Sequence, residues 1–315
     1  MKLLISCTNS PIPLIGYDFE NNNIFWKLET NGKIFLTAGI TYQDNDLILG
    51  YSNSFIRIIS NGYKKHDLPG PYYSLTHSIH AINNNEIGIT DTGNSCIRIF
   101  NKADKDIKIL NPINHWTNIP HDALHLNDFT ITPFGIIASC FDYRPWRGQK
   151  NNETWDDWCK GNYGILINAS GHNNKSKGRI VGCGFNHPHS LNYINPYLYL
   201  CSSSTGTFHI CKFNNQGTIS DNEHNIITHD HFLRGAYKFN NIWFLGGSTI
   251  RHGEQLSKYV EIYSFNESTK EIQKKQLNLD GEVYDILPWS EHILTPILKN
   301  NIFSYLINHF GQNIL

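Results

Sequence analysis

Apolar residues along this chain alternate with polar ones in short runs. Runs of five to eight residues recur every 8–12 residues, separated by Gly, Asn, Asp or Pro, which is the pattern of strands and tight turns. Helical periodicity is almost absent. The runs form a larger unit that repeats. The stretch 185–206 reads as a polar, His-rich entry, a strand, a turn at Asn195 and Pro196, an apolar strand and a Ser/Thr/Gly turn. Stretches near 37–50, 76–94, 125–139 and 233–246 follow the same order. Self-similarity at intervals of roughly 40–60 residues, built of short strands, predicts an all-β propeller.

Blade one is expected over about 37–69, blade two over 75–111, blade three over 125–182, blade four over 187–229 and blade five over 233–279. The N-terminal strands, near 3–8, 12–19 and 24–29, lack an inner partner, and 282–287 reads as an inner strand lacking a blade. Joining the two completes a sixth blade and closes the ring, which removes exposed sheet edges. Two further apolar runs, 293–298 and 302–307, have no place in this scheme and leave seven blades open. The whole of 1–315 reads as one propeller domain, with residues 142–161 inserted into blade three. That insertion carries Trp146, Arg147, Trp155 and Trp158. Its aromatic content argues against disorder, so it is expected as a lid over one mouth of the ring.

Composition narrows the functions. A formal net charge of -1 gives no electrostatic footprint for nucleic acid or an anionic membrane surface. No apolar run is long enough to span a bilayer as a helix. Seven Cys lack close metal-type spacing, and Cys7, Cys140, Cys201 and Cys211 fall within apolar strand patterns, so buried thiols and a reducing, cytoplasmic location are expected.

Sixteen His are many for this length. Aligning the repeats on their second strands places Ala38, His77, Asn127, His189, Arg234 and Tyr284 at equivalent positions, where each innermost strand begins. Side chains two apart on a strand share a face, which pairs His125 with Asn127, His187 with His189 and Glu282 with Tyr284. Imidazoles converging on one axis suit a divalent transition metal such as Zn, Fe or Mn, with His77, His125, Asn127, His187 and His189 as the ligand candidates. Asp128 or Glu282 would then be the acid/base and Arg234 the anchor for an anionic group. Tyr284, Trp146, Arg147, Trp155 and Trp158 would contact substrate. His80, one step out of phase, is expected between blades, and Asp91 is expected to brace its turn.

The segment from His77 to Phe100 resembles an NHL-type repeat, with Asp91, Thr92, Gly93 and Asn94 ending the second strand and Ser78 where that repeat has Gly. The chain as a whole is similar to an uncharacterised bacterial propeller family. The resemblance rests on Leu126-Asn127-Asp128, Pro188-His189-Ser190, Leu233-Arg234-Gly235 and the loop at Trp146 and Arg147. It implies six blades and no particular activity. More distantly the arrangement is similar to gluconolactonase-like and amidating-lyase propellers, which implies a metal on the axis. Two readings follow. One is a metal-dependent hydrolase or lyase acting on a sugar derivative, lactone or modified amino acid. The other is a non-catalytic module binding a glycan or peptide.

Overall fold

The computed structural model describes residues 1–70, 73–112, 121–142, 157, 160–170, 178–249 and 259–310. Six four-stranded antiparallel sheets are arranged in a ring, so the chain is a six-bladed β-propeller. Blade one comprises β4 (Thr37–Gln43), β5 (Asp46–Tyr51), β6 (Ser54–Ile59) and β7 (Gly62–Asp67). Blade two comprises β8 (Thr76–Asn83), β9 (Glu86–Asp91), β10 (Cys96–Asn101) and β11 (Asp106–Leu110). Blade three comprises β12 (Leu126–Thr132), β13 (Gly135–Cys140), β14 (Gly164–Asn168) and β15 (Arg179–Phe185). Blade four comprises β16 (Pro188–Ile194), β17 (Tyr197–Ser202), β18 (Thr207–Phe213) and β19 (Ile219–Ile226). Blade five comprises β20 (His231–Phe239), β21 (Ile242–Thr249), β22 (Val260–Asn266) and β23 (Ile272–Leu277).

Blade six joins the two ends of the chain. Its order is β24 (Glu282–Pro288), β1 (Lys2–Thr8), β2 (Leu14–Asp18), β3 (Asn23–Leu28). Strand β24 pairs with β1 from Leu3 opposite Pro288 to Thr8 opposite Glu282, the closure that the unpaired repeats predict. The two unplaced runs are helices, α1 (Glu291–Lys299) and α2 (Ile302–Phe310), rather than a seventh blade. Their apolar positions recur in pairs, Ile293 and Leu294 with Ile297, then Ile302 and Phe303 with Leu306 and Ile307, all buried against blades six and one. Each run is too short for its helical period to stand out against a short strand. Among the described residues no helix is long and apolar enough to cross a membrane.

The core lies between blades rather than inside any one of them. Tyr17 and Ile15 of blade six pack with Phe244 and Ile262 of blade five. Tyr199 and Phe208 of blade four pack with Trp243 of blade five. Ile48 and Phe55 of blade one pack with Ile79 and Phe100 of blade two. A blade therefore has no apolar interior of its own, and its stability depends on both neighbours. Cys7, Cys140, Cys201 and Cys211 are buried free thiols in these layers, as is Cys96, while Cys183 is an exposed free thiol. Asp91 braces its turn as expected: the fully buried carboxylate accepts hydrogen bonds from Ser74, Asn94 and Arg98, the last at 2.8 Å.

Ring closure sets the first expectation. Deleting residues 1–29 would leave β24 without a partner and uncover the faces of blades five and one. Each fully buried Ile, Leu or Tyr so exposed forfeits about 1.5–3 kcal/mol of burial. The truncated chain should lose its cooperative thermal transition and partition into the insoluble fraction. A soluble truncation product melting at the wild-type temperature would show that blade six does not close the ring.

Candidate functional site

The six inner strands meet in the order β4, β8, β12, β16, β20, β24 and back to β4. Each carries a β-bulge near its first residues. Two residues stand opposite one, or one residue is skipped, at Ala38 and Gly39, His77 and Ser78, Asn127, Ser190 and Leu191, Gly235, and Tyr284. A bulge bends its strand and re-aims a side chain. Repeated six times, it turns the aligned residues toward one axis. Backbone approaches there are close: a Cβ on Gly39 would stand 2.7 Å from the backbone N of Ile79 in the next blade. Gly235 has φ +68°, a conformation that suits glycine.

The bulges release backbone N–H groups from their ladders, and side chains of the preceding blade accept them. Asp128 Oδ2 accepts from Leu191 N–H at 2.7 Å and its Oδ1 from Phe129 N–H at 2.7 Å. Asp285 Oδ2 accepts from Ile40 N–H at 3.0 Å and its Oδ1 from Ile286 N–H at 2.9 Å. Ser190 Oγ accepts from Gly235 N–H at 2.8 Å. All three residues occupy the position after the aligned one or its equivalent. Asp128 also meets His80 Nε2 at 2.6 Å, so His80 lies between blades two and three as its phase predicts.

The aligned residues line one end of the central channel. His77 Nδ1, Asn127 Oδ1, His189 Nε2, Arg234 Nε and the Tyr284 hydroxyl are buried with no hydrogen-bond partner among the described residues. A buried orphan polar atom costs about 1–3 kcal/mol, and native structures hold few of them. Here five stand at equivalent positions of five blades. Their orientations are fixed. His125 (φ 43°) and His187 (φ 48°) adopt left-handed conformations just before their strands. That turns their carbonyls toward the strand: Asn127 Nδ2 donates to His125 O at 3.1 Å and His189 Nδ1 faces His187 O at 3.1 Å. Ser203 Oγ donates to Leu233 O at 2.9 Å and so must accept from His189 Nδ1–H at 2.6 Å. Nε2 of His189 is therefore a bare acceptor, and Asn127 presents its oxygen.

Above this ring the imidazoles of His125 and His187 pack on opposite sides of the Phe141 ring, at 4.5 and 4.3 Å between centroids. His125 Nδ1 is 3.0 Å from Asp122. Arg234 lies between the rings of Phe232 and Tyr284, each 5.5 Å away, and donates from Nη1 to Glu282 at 3.3 Å. Asn9 donates to the other Glu282 oxygen at 3.2 Å. Burial, with the cationic charges of Arg234 and the neighbouring imidazoles, holds His189 well below the usual imidazole range. Burial, then His125 and Arg234, does the same to His77. Burial also raises the Tyr284 hydroxyl.

The structure thus brings together His77, Asn127, His189 and Tyr284 as lining of a cavity of about 100 Å³, with Asp128 in its wall. Arg234 and Glu282 are paired beside Tyr284, and His125 and His187 form the tier above. Among the described residues no group of three or more His, Cys, Asp or Glu is placed to hold a metal ion. Trp146, Arg147, Trp155 and Trp158 lie outside the described residues. Sequence reasoning did not single out Asp285, Ser203 or Phe141. Asp285 follows Tyr284 as Asp128 follows Asn127, and that second register of the repeat was the available signal.

No protein-family model matches the chain. No curated protein matches it. Solved structures resemble it closely in fold. A protein of unknown function from Bacteroides caccae has a TM-score of 0.61 at 11% identity, over 91% of this chain and 98% of that chain. A chain of a nidogen/laminin complex has a TM-score of 0.59 at 10% identity, over 90% of this chain and 97% of that one. A streptogramin B lyase has a TM-score of 0.52 at 13% identity, over 87% of this chain and 83% of that one. At these identities the likeness is one of fold: the chain shares its propeller with a bacterial protein of unknown function, an enzyme and a component of a protein complex.

Proposed function

We propose that this chain is an enzyme that binds a small polar molecule bearing an oxyanion at the end of the central channel and acts on it by proton transfer. The observation that carries this reading is the ring of five buried, unpartnered polar atoms at equivalent blade positions. The ring is polar in its own plane. Donors, Arg234 Nε and the Tyr284 hydroxyl, stand on blades five and six; the acceptors, Asn127 Oδ1 and His189 Nε2, stand on blades three and four. A carboxylate or enolate oxygen suits the donors, and a C–H or O–H proton opposite suits the neutral His189. The fold is compatible with turnover of small molecules, since a streptogramin B lyase shares it.

A divalent transition metal is the other occupant that free imidazole nitrogens invite. Two imidazoles and an amide oxygen, with no carboxylate or thiolate among them, make a weak ligand set for a transition metal. The residues as placed therefore fit a hydrogen-bonded ligand better than Zn, Fe or Mn. A non-catalytic glycan- or peptide-binding module is the second reading of function, and the likeness to a chain of the nidogen/laminin complex favours it.

Two measurements test the proposal. Calorimetric titration with acetate and with inorganic phosphate, alongside elemental analysis of the purified protein, should show oxyanion binding and no stoichiometric metal. Arg234→Gln should weaken that binding about 10- to 100-fold, the loss of one charge-assisted hydrogen bond. Stoichiometric metal that disappears in His189→Ala would overturn the assignment in favour of a metal centre.

The depressed imidazoles also set a pH dependence. His77 and His189 are neutral when folded and take up protons more readily when unfolded. Their contribution to stability is complete above the unfolded value near 6.5 and is lost as pH falls below it. His80 is shifted upward and opposes this trend: burial works against its charge, but Asp128 outweighs it. The melting temperature should fall on acidification from pH 7 to 5, and His189→Gln should flatten the slope. An unchanged slope in that variant would show that His189 binds protons equally in the folded and unfolded states and is not held neutral by the site.

A further inference from the structure

Besides the Tyr284 hydroxyl, the cavity is lined by three hydrogen-bond acceptors: Asp285, Asn127 Oδ1 and His189 Nε2. We infer that the channel holds a small primary ammonium group, bound by Asp285 with Asn127 Oδ1 and His189 Nε2. The inference rests on the oxyanion reading above only in its last step, where both ends belong to one ligand.

Four observations lead to it. Asp285 lines the cavity and spends its hydrogen bonds on two backbone N–H groups, Ile40 and Ile286, with no ion pair to any side chain among the described residues. Its counterpart Asp128 does have such a partner, His80. The two carboxylates occupy the same repeat position and make the same pair of backbone bonds, yet only Asp128 has an ion-pair partner in contact, His80 acting on Asp285 from further away. Asn127 is 1% exposed and turns its oxygen to the cavity because its amide N–H is donated to His125 O. His189 is 4% exposed and turns a lone pair there because Nδ1–H is taken by Ser203 and His187 O.

A carboxylate, an amide oxygen and an imidazole lone pair around one cavity call for a donor-only cation. An –NH3⁺ group presents three donors and no acceptor. The volume of about 100 Å³ holds roughly three groups of water size at about 30 Å³ each, which admits a methylammonium-sized head. Burial raises Asp285 to about 6 against the opposing charge of His80. Arg234 and Tyr284 stand on blades five and six, on the same side of the ring as Asp285, which follows Tyr284 on β24. One small molecule with a carboxylate at the first and an ammonium at the second is a zwitterion of amino-acid type.

Ligand-observed NMR with methylammonium, methanol, tetramethylammonium, acetate and glycine, at matched ionic strength, tests this. Methylammonium should bind, while methanol (similar size, no charge) and tetramethylammonium (charge, no N–H) should not. Asp285→Asn should weaken methylammonium at least tenfold and leave acetate unchanged. Arg234→Gln should do the reverse. Glycine should bind more tightly than either half-ligand. Methylammonium no better than tetramethylammonium or methanol in the wild-type protein would overturn the ammonium site without touching the oxyanion reading. Undiminished methylammonium binding in a folded Asp285→Asn variant would also overturn it. Acetate failing while methylammonium binds would refute the oxyanion reading alone. Both half-ligands binding with glycine no tighter would overturn only the joining of the two ends in one molecule.

Discussion

The bulge near the start of each inner strand turns one side chain of each blade toward the axis, and the rest of the structure depends on how its consequences are handled. A bulge frees backbone N–H groups in a buried place, where an unmet donor costs about 1–3 kcal/mol. The chain answers from the blade before: Asp128 reaches Leu191, Ser190 reaches Gly235, and Asp285 reaches Ile40. The last of these crosses the closure, so one carboxylate joins blade six to blade one at the axis. Apolar layers between blades hold the periphery, but they are non-directional. The carboxylates and Ser190 fix where the strands stand relative to each other.

The same bulge makes the site. It places one residue toward the axis and the next toward the neighbouring blade, so positions one apart take different work. The first register holds His77, Asn127, His189, Arg234 and Tyr284, each with one polar atom that has no partner among the described residues. The second holds Asp128, Ser190 and Asp285, whose oxygens are spent on backbone. Orientation in the first register is set locally. The left-handed turns at His125 and His187 point two carbonyls at Asn127 and His189, which removes the rotational freedom that an amide or imidazole otherwise keeps.

The repeat, the blade limits and the closure were legible because strand period and turn chemistry are local properties, and each was read several times over. The aligned ring was legible for the same reason. Alternation within a strand pairs His125 with Asn127 and His187 with His189 on one face; it does not foretell that Phe141, just past the end of another strand, meets His125, His187 and His189 together. Contacts of that kind depend on tertiary packing. Helices α1 and α2 were missed because nine residues hold barely two turns of signal. Asp285 was not legible because it stands one step off the aligned register, and only the bulge, a tertiary feature, brings it to the channel.

Five buried polar atoms without a hydrogen-bond partner among the described residues are a large liability in a fold whose net stability is of order 5–15 kcal/mol. At about 1–3 kcal/mol each, the orphans alone equal that margin. The ring therefore exists in solution with its atoms satisfied, by water or by a ligand that reproduces water's bonds. Water answers every orphan equally, because it both donates and accepts. The chain has gone further than water requires: Ser203 fixes one tautomer at His189, a carbonyl fixes one face of Asn127, and the acceptors stand on blades three and four with the donors on blades five and six. Fixing polarity has value only toward an occupant that has a fixed polarity of its own.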